Sequence, residues 1–495
     1  MTGVRRDMAT LGSGWNQALE DYALAMEAMD ALPASDRRSW KFLAAIHGFH
    51  KGRWVEEGAM APTTPVPAEY ENLTYGKQCQ HRNWYFLPWH RGYLASFESI
   101  VAAKVMELTG RQWALPYWNY LDAANPDARK IPQPFRDANM PDGRPNPFVK
   151  YKVANNVAIS PSEPDFDLSA MRENDFVVDG GGGASSVGFG GTGTGAFSPP
   201  GITGDLEANP HNSVHVILDG VMGDPRTAGL HPLFWLHHCN IDRLWEAWMR
   251  TPGKNMVRAM PWLDGPIDRK FIVPKPDGDG ENYTARDGLR NGKFYPTYDN
   301  LTSGTGVTPA GGAVTKIGMG PPEQQKIELL GANSTEISVG SAGVVTNVTM
   351  DAGAAKGAVT AMGPMAVGEE VTRLYLQIVG IKGETPSAKL DVFLNLPEGS
   401  DPGSHEDLRV ARLYLFGLEE ASDPDAGHGG NGLGYNLEIS DLVQQLRDGD
   451  GFDADKVSVT LIPVDNITDD AKVTVQKVSV VRRTGRGTVI NEQGQ

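Results

Sequence analysis

Apolar positions recur at helical spacing through residues 14–60: Trp15, Leu19, Tyr22, Ala23 and Met26 mark one face, then Trp40, Leu43, Ala44 and His47 another. The same period runs through 83–109, entered at Pro88 and ended at Gly110, and it returns over 209–218 and 232–250. Between these stretches, residues 123–205 are irregular and rich in Pro, Asp and Asn. They include the tract GGGGASSVGFGGTGTGAF (180–197), too glycine-rich to hold one conformation on its own. Beyond Leu301 the texture changes. Residues 303–325 read as a Gly, Thr and Pro-rich linker. After them come short β-rich runs, among them KIELL, VVTNVTM, VTRLYLQIV, KLDVFLNL, VARLYLFGL, KVSVTLIPV and KVTVQKVSVV. The pattern predicts an α+β multidomain chain. A mainly helical domain spans residues 1–302 and is built around a four-helix bundle; an antiparallel β-sandwich spans 326–495.

A chain of 495 residues exceeds what one core usually organises, which agrees with two domains. The formal net charge of -16 argues against nucleic acid or an anionic membrane surface as partner and fits an enzyme acting on neutral or cationic small molecules. Two cysteines, Cys79 and Cys239, provide no disulfide framework. The Arg5–Arg6 pair has no apolar stretch behind it, and no run of eighteen apolar residues occurs, so the expectation is a cytoplasmic chain that spans no membrane.

The histidines carry the chemistry. Nine of the eleven fall between His47 and His90 or between His211 and His238. Neutral imidazole suits copper, zinc and iron. His81 and His90 are nine apart; His211 and His215 are four apart, on one helical face, and His238 follows 23 residues later. Each cluster can offer three imidazoles to one metal.

Two segments, CQHRNWYFLPWHRGYLASFE and ANPHNSVHVILDG with HPLFWLHHCNIDRLW, resemble the copper-A and copper-B signatures of the type 3 copper family, the tyrosinases, catechol oxidases and molluscan-type hemocyanins. His81, Phe86, His90, Arg91, Leu94 and Glu98 match the first, and Pro232, Phe234, His238 and Asp242 the second. The resemblance implies two copper ions with O2 as co-substrate: His47, His81 and His90 on copper A, and His211, His215 and His238 on copper B. AAIHGF favours His47 over His50. His237 and Asp242 are expected beside the ligands rather than on the metal, with Asp242 orienting a ligand or anchoring Arg243. Cys79, two residues before His81, sits where fungal and molluscan members join a cysteine to the copper-A histidine in a thioether; plant members use the position held here by Lys51. His405 and His428 read as solvated loop residues. One departure stands out: the family usually has Asp where this chain has His231.

The implied activity is oxidation of small phenols, monophenols and o-diphenols, to o-quinones. Phe234 resembles the residue whose ring lies over copper B. Glu207 and Asn212 resemble the pair that holds a proton-accepting water beside the first copper-B histidine. KLDVFLNLPEG and KVSVTLIPV resemble the C-terminal domain of plant polyphenol oxidases, which covers the copper site in a latent form. That implies a plug from residues 330–495 whose identity the sequence leaves open. FYPTYDNL (294–301) resembles the tyrosine segment that closes the catalytic domain, with Arg5 or Arg6 as its partner. GVMGDPRTAG (220–229) is expected at the entrance. The alternatives are a catechol oxidase or an o-aminophenol oxidase without monophenolase activity, a hemocyanin-like O2 carrier, and a zinc hydrolase on His211 and His215. The last lacks the Glu directly after the first His and leaves the first cluster unused.

Overall fold

The computed structural model describes residues 3–12, 14–178, 187–197, 201–305, 316–319, 325–362, 368–426, 429–448, 457–465 and 467–490. The N-terminal half carries helices α1 (Gln17–Asp30), α2 (Trp40–His47), α3 (Lys51–Glu56), α4 (Ala68–Glu71), α5 (Phe86–Thr109), α6 (Ser213–Leu218), α7 (Pro232–Arg250) and α8 (Met260–Leu263). The helical run expected over 14–60 is therefore three helices. Asn16 and Ser39 accept from backbone N–H groups and start α1 and α2, and Gly48 ends α2 before His50 caps α3. Gly110, at φ 70°, ends α5 in the left-handed conformation that glycine adopts without cost.

Helices α5 and α7 form the centre. Phe97 stacks on Trp235 with ring centroids 3.5 Å apart and planes 5° apart, and Trp40 and Tyr93 close around the pair. One buried polar network ties the chain's start to its middle. Arg5 donates to Glu98, Asp242 and the hydroxyl of Tyr298, while Arg91 donates to Asp242 Oδ1 at 2.5 Å. The pairing expected of Arg5 with the 294–301 segment is present. Asp242, however, neither touches a candidate ligand nor anchors Arg243. It neutralises Arg5 and Arg91, and Arg243 is held by Asn119, Asn240 and the carbonyls of Asn300 and Ser303.

The glycine-rich tract is packed where it is described. Phe189 stacks on Trp248 at 4.4 Å, and a Cβ on Gly188 would lie 2.2 Å from the carbonyl oxygen of Asp175. Glycine there permits a close backbone approach that neighbouring elements then fix. Residues 180–186 of the tract lie outside the described residues.

The two-stranded sheet β1 (Phe271–Pro274) and β2 (Gly280–Tyr283) belongs to the N-terminal half. The C-terminal half contains β3 (Lys316–Met319), β4 (Lys326–Ala332), β5 (Ile337–Val339), β6 (Val344–Met350), β7 (Glu370–Lys382), β8 (Lys389–Leu394), β9 (Arg409–Tyr414), β10 (Leu433–Glu438), β11 (Val457–Asp465) and β12 (Val473–Ile490), with helices α9 (Ala352–Ala361), α10 (Leu418–Ser422) and α11 (Ser440–Asp448). The expected β-sandwich is not what forms. The strands make one ten-stranded antiparallel sheet ordered β10-β7-β12-β4-β6-β11-β8-β9, with β3 and β5 also paired to β12. It curls until it is nearly a barrel. Tyr435 on β10 donates to the carbonyl of Tyr414 on β9 at 2.7 Å, which brings the two ends of the path together. Strand β3 falls inside the segment read as linker, so that segment is not wholly irregular. No helix among the described residues is long and apolar enough to cross a membrane.

The two halves are joined by ion pairs and backbone bonds. Glu419 accepts from Arg53 at 2.9 Å and Arg226 at 2.7 Å; Tyr414 donates to Glu163; Gly434 O accepts from Thr203 N at 2.9 Å. These bonds bring the loop before α10 over the histidine-rich end of the bundle.

Candidate metal centre

Six histidines arrive from helices and from the turns beside them. His47 is the last residue of α2, His81 lies in the loop before α5, and His90 lies in its second turn. His211 lies in the irregular turn Glu207–Asn212, His215 in α6, and His238 midway along α7. The His211–His215 segment is therefore not one regular helix, because Asn209 takes extended angles and Pro210 interrupts the turn. The two rings still meet, with centroids 4.6 Å apart. The triads face each other: His90 and His238 stack at 4.5 Å with planes 12° apart, and His81 lies 5.7 Å from His211.

Five of the six rings are fixed through Nδ1. His47 Nδ1 lies 2.9 Å from Pro225 O, His81 Nδ1 2.9 Å from Glu207 Oε1, His90 Nδ1 2.8 Å from Phe86 O, His211 Nδ1 2.9 Å from Asn212 Oδ1 and His215 Nδ1 2.8 Å from Met222 O. A bonded Nδ1–H leaves the Nε2 lone pair directed at the centre, which is how proteins orient metal-ligating histidine. Nε2 of His47 and of His211 is buried with no hydrogen-bond partner. Burial, reinforced by neighbouring imidazoles, pushes His47 down to about 3 and holds His90, His211, His215 and His238 well below the ordinary value. Neutral rings with buried, unused lone pairs are what a metal requires and what an apolar core would not tolerate. The donor set of three imidazoles per ion fits two copper ions.

Further groups surround the ligands. Ring or sulfur atoms of His47, Cys79, His81 and His90 lie within 4.8 Å of one another, as do those of His211, His215, His237 and His238. His237 is thus not turned away from the cluster. Its Nδ1 is 3.1 Å from the Tyr120 hydroxyl, and its ring lies along His211 at 5.4 Å. Cys79 Sγ is 3.7 Å from His90 Nε2, and Cys239 Sγ faces the carbonyl of Leu115. Phe234 is wholly buried, with its ring tilted at 4.2 Å from His238 and edge-on to His47 at 4.8 Å. His50 only caps α3, accepting from Arg53 N at 3.3 Å. His405 lies in a loop of the C-terminal half, and His428 lies outside the described residues.

His231 explains the family departure in physical terms. Its Nδ1 accepts from Leu233 N at 3.2 Å, the N-cap bond an aspartate would make at this position, and burial pushes it down to about 3, so the ring stays a neutral acceptor. The two oxygens of Glu207 accept Arg82 N at 3.0 and 2.9 Å, while Oε1 fixes His81. Burial pushes its carboxyl up to about 8. Asn212 fixes His211. Both therefore set ligand orientation as well as lining the space beside it.

Two groups were not legible in the sequence. The 220–229 segment supplies Met222 O and Pro225 O, the acceptors that fix His215 and His47. Phe416, in the loop between β9 and α10, lies flat on His215, with centroids 4.1 Å apart and planes 13° apart. It is 5% exposed, and it also faces His81 and His211 at 6.1 and 5.9 Å. A cavity of about 20 Å³ remains between it and His81, Glu207 and Asn212, space for one water and not for a phenol.

The comparisons agree with this geometry. The family model described as the common central domain of tyrosinase matches residues 37–251, and one described as a domain of unknown function (DUF7868) matches 326–483. A tyrosinase of Hahella sp. (strain CCB-MM4) is 32% identical over 483 residues, covering 94% of this chain and 97% of that protein. The (+)-larreatricin hydroxylase of Larrea tridentata is 31% identical over 270 residues, half of this chain and 41% of its own length. Among solved structures, latent aurone synthase (polyphenol oxidase) superposes with a TM-score of 0.58 at 20% identity over 99% of this chain and 90% of its own. Latent apple tyrosinase gives 0.56 at 20% identity over 97% of both chains. With whole-length identity to a tyrosinase and its paired histidine triads, the chain belongs to the tyrosinase family of copper oxidoreductases.

Proposed function

We propose that the chain oxidises monophenols and o-diphenols to o-quinones with O2, and that it is held latent by its C-terminal half. The observation that carries this reading is the pair of buried, neutral triads, five of their six rings fixed through Nδ1, with the Phe416 ring lying on His215 where a phenol ring would stack. Two bound copper ions would supply O2 binding and the exchange of electrons with the phenol. His47, His81 and His90 would hold one, and His211, His215 and His238 the other. Cys79 would tie down its triad through the thioether to His81.

The chain's own residues handle the proton. A monophenol must lose its hydroxyl proton before it can bind a metal as phenolate. Glu207 lines the cavity, and its Oε2 accepts Arg82 N; a carboxylate oxygen has capacity for a second donor, a water or a phenol. A carboxyl raised by burial to about 8 is matched to proton transfer near neutral pH. Phe234 walls the site beside His238, and Asn212 keeps His211 turned towards the centre.

Oxygen uptake on tyramine and on 4-methylcatechol tests this, using copper-loaded chain before and after limited proteolysis. Turnover of both substrates, rising after cleavage, is the expected result. In Glu207→Gln the ratio of tyramine to catechol rates should fall about tenfold or more while copper content holds. An unchanged ratio would leave Glu207 as an orienting residue and make the chain a catechol or o-aminophenol oxidase. Reversible O2 binding without turnover would make it a carrier.

A further inference from the structure

Arg82 lines the small cavity beside His81, Glu207, Asn212, Phe416 and Glu420, and none of the chemistry above uses its side chain. Its backbone sits at φ 61°, in the left-handed region that a side chain adopts only when its surroundings impose it. Here the imposition is visible: the Arg82 N–H is held by both oxygens of Glu207. The guanidinium reaches the C-terminal cover. It is 2% exposed. Nη1 donates to Gly432 O at 2.5 Å, and Nη2 is buried with no hydrogen-bond partner. One neutral carbonyl is poor compensation for a buried guanidinium, whose planar fork matches a carboxylate through two parallel hydrogen bonds.

The cover presents something shaped like such a ligand. Phe416 lays an aromatic ring on His215, and four residues further along Glu420 brings a carboxylate to the same cavity. Ring and carboxylate on the cover thus meet imidazole and guanidinium in the pocket. In a chain of net charge -16, an anionic substrate needs a local cation to approach at all.

We infer that Arg82 is a specificity residue that selects phenols carrying a side-chain carboxylate, and that Phe416 and Glu420 occupy the ring and carboxylate subsites in the closed chain. The inference rests on the proposed phenol oxidation for its substrate class, but its test does not depend on turnover.

The experiment uses the full copper-loaded chain with the plug trimmed by Phe416→Ala and Glu420→Gln. Calorimetric binding of two non-oxidisable probes, 3-phenylpropionate and 3-phenylpropanamide, is compared; the acid should bind about tenfold more tightly, and 0.5 M NaCl should erode that preference. Adding Arg82→Gln should abolish the preference, and Arg82→Lys should keep part of it, since charge survives without the fork. In parallel, the ratio of kcat/KM for 3-(4-hydroxyphenyl)propionate over 4-ethylphenol should fall about tenfold in Arg82→Gln. Equal binding of both probes by the trimmed chain, or an equal weakening of both by Arg82→Gln, would overturn the assignment and leave Arg82 as a strut between the domains. A preserved acid preference in protein that oxidises no phenol would instead sink the oxidase reading while leaving the carboxylate subsite in place.

Discussion

Phe416→Ala should convert the intact chain from a latent to an open enzyme. The ring is 5% exposed and stacked 4.1 Å from His215. Burying a phenylalanine side chain contributes about 2–3 kcal/mol, and an offset stack about 1 kcal/mol more. Truncation therefore removes about 3–4 kcal/mol from the closed arrangement, worth about 10²- to 10³-fold in the ratio of closed to open forms. The ion pairs of Glu419 with Arg53 and Arg226 are untouched, so the C-terminal half should stay folded and attached. Oxygen uptake with 4-methylcatechol would be measured on uncleaved protein, its integrity checked by mass. The expected result is at least a tenfold rise over intact wild type, approaching the rate of protease-treated wild type. Phe416→Leu, which keeps bulk without the stack, should fall between. If the Phe416→Ala chain is as silent as intact wild type while cleavage activates both, the ring is not the block and the reasoning fails.

Two other consequences follow from the polar groups around the site. His231→Ala removes the cap of α7 and should cost about 1 kcal/mol, read as a lower unfolding midpoint, whereas His231→Asp should restore most of it; if Asp is no better than Ala, the ring matters through packing rather than through its bond to Leu233 N. Glu420 is pushed up to about 7, first by burial and then by Asp224, with Arg226 and Arg82 opposing. A carboxyl raised in the closed form stabilises closure fully below its ordinary range, and that contribution is lost as pH rises through about 7. The activity of intact chain relative to cleaved chain should therefore climb as pH rises from the ordinary carboxylate range to about 7 and level off above it, and Glu420→Gln should flatten the climb; a profile unchanged by that substitution would show that other groups govern opening.

What could be read from the chain, and what could not, divides along physical lines. A metal demands particular side chains, so the two histidine clusters stand out in the sequence, and their resemblance to the copper signatures picks His81, His90, His211, His215 and His238 within them. Their partners do not stand out. Pro225 O, Met222 O and Phe86 O are backbone carbonyls, and any residue supplies one. The strands were visible from their β-branched runs, yet alternation cannot say whether an inward face meets a second sheet or the far side of a curled one. In β7 even alternation fails, because from Val371 onward no position of the strand is exposed on either face. Phe416 was hidden for a related reason: within VARLYLFGL it reads as one more strand residue. The pairing of β8 with β9 stops at Tyr414, and Gly417, at φ 73°, turns the chain into α10. Leu415 N still donates to Ala388 O and its side chain joins the sheet's core, and the turn then carries Phe416 off the ladder towards the histidines. The glycine was the readable trace, since a left-handed residue directly after an aromatic marks where a strand ends and its last side chain is free to serve another surface. Closure of the sheet then makes that service rigid: Tyr435 holds the Tyr414 carbonyl two residues before Phe416, so the plug is seated by the same bond that joins β10 to β9.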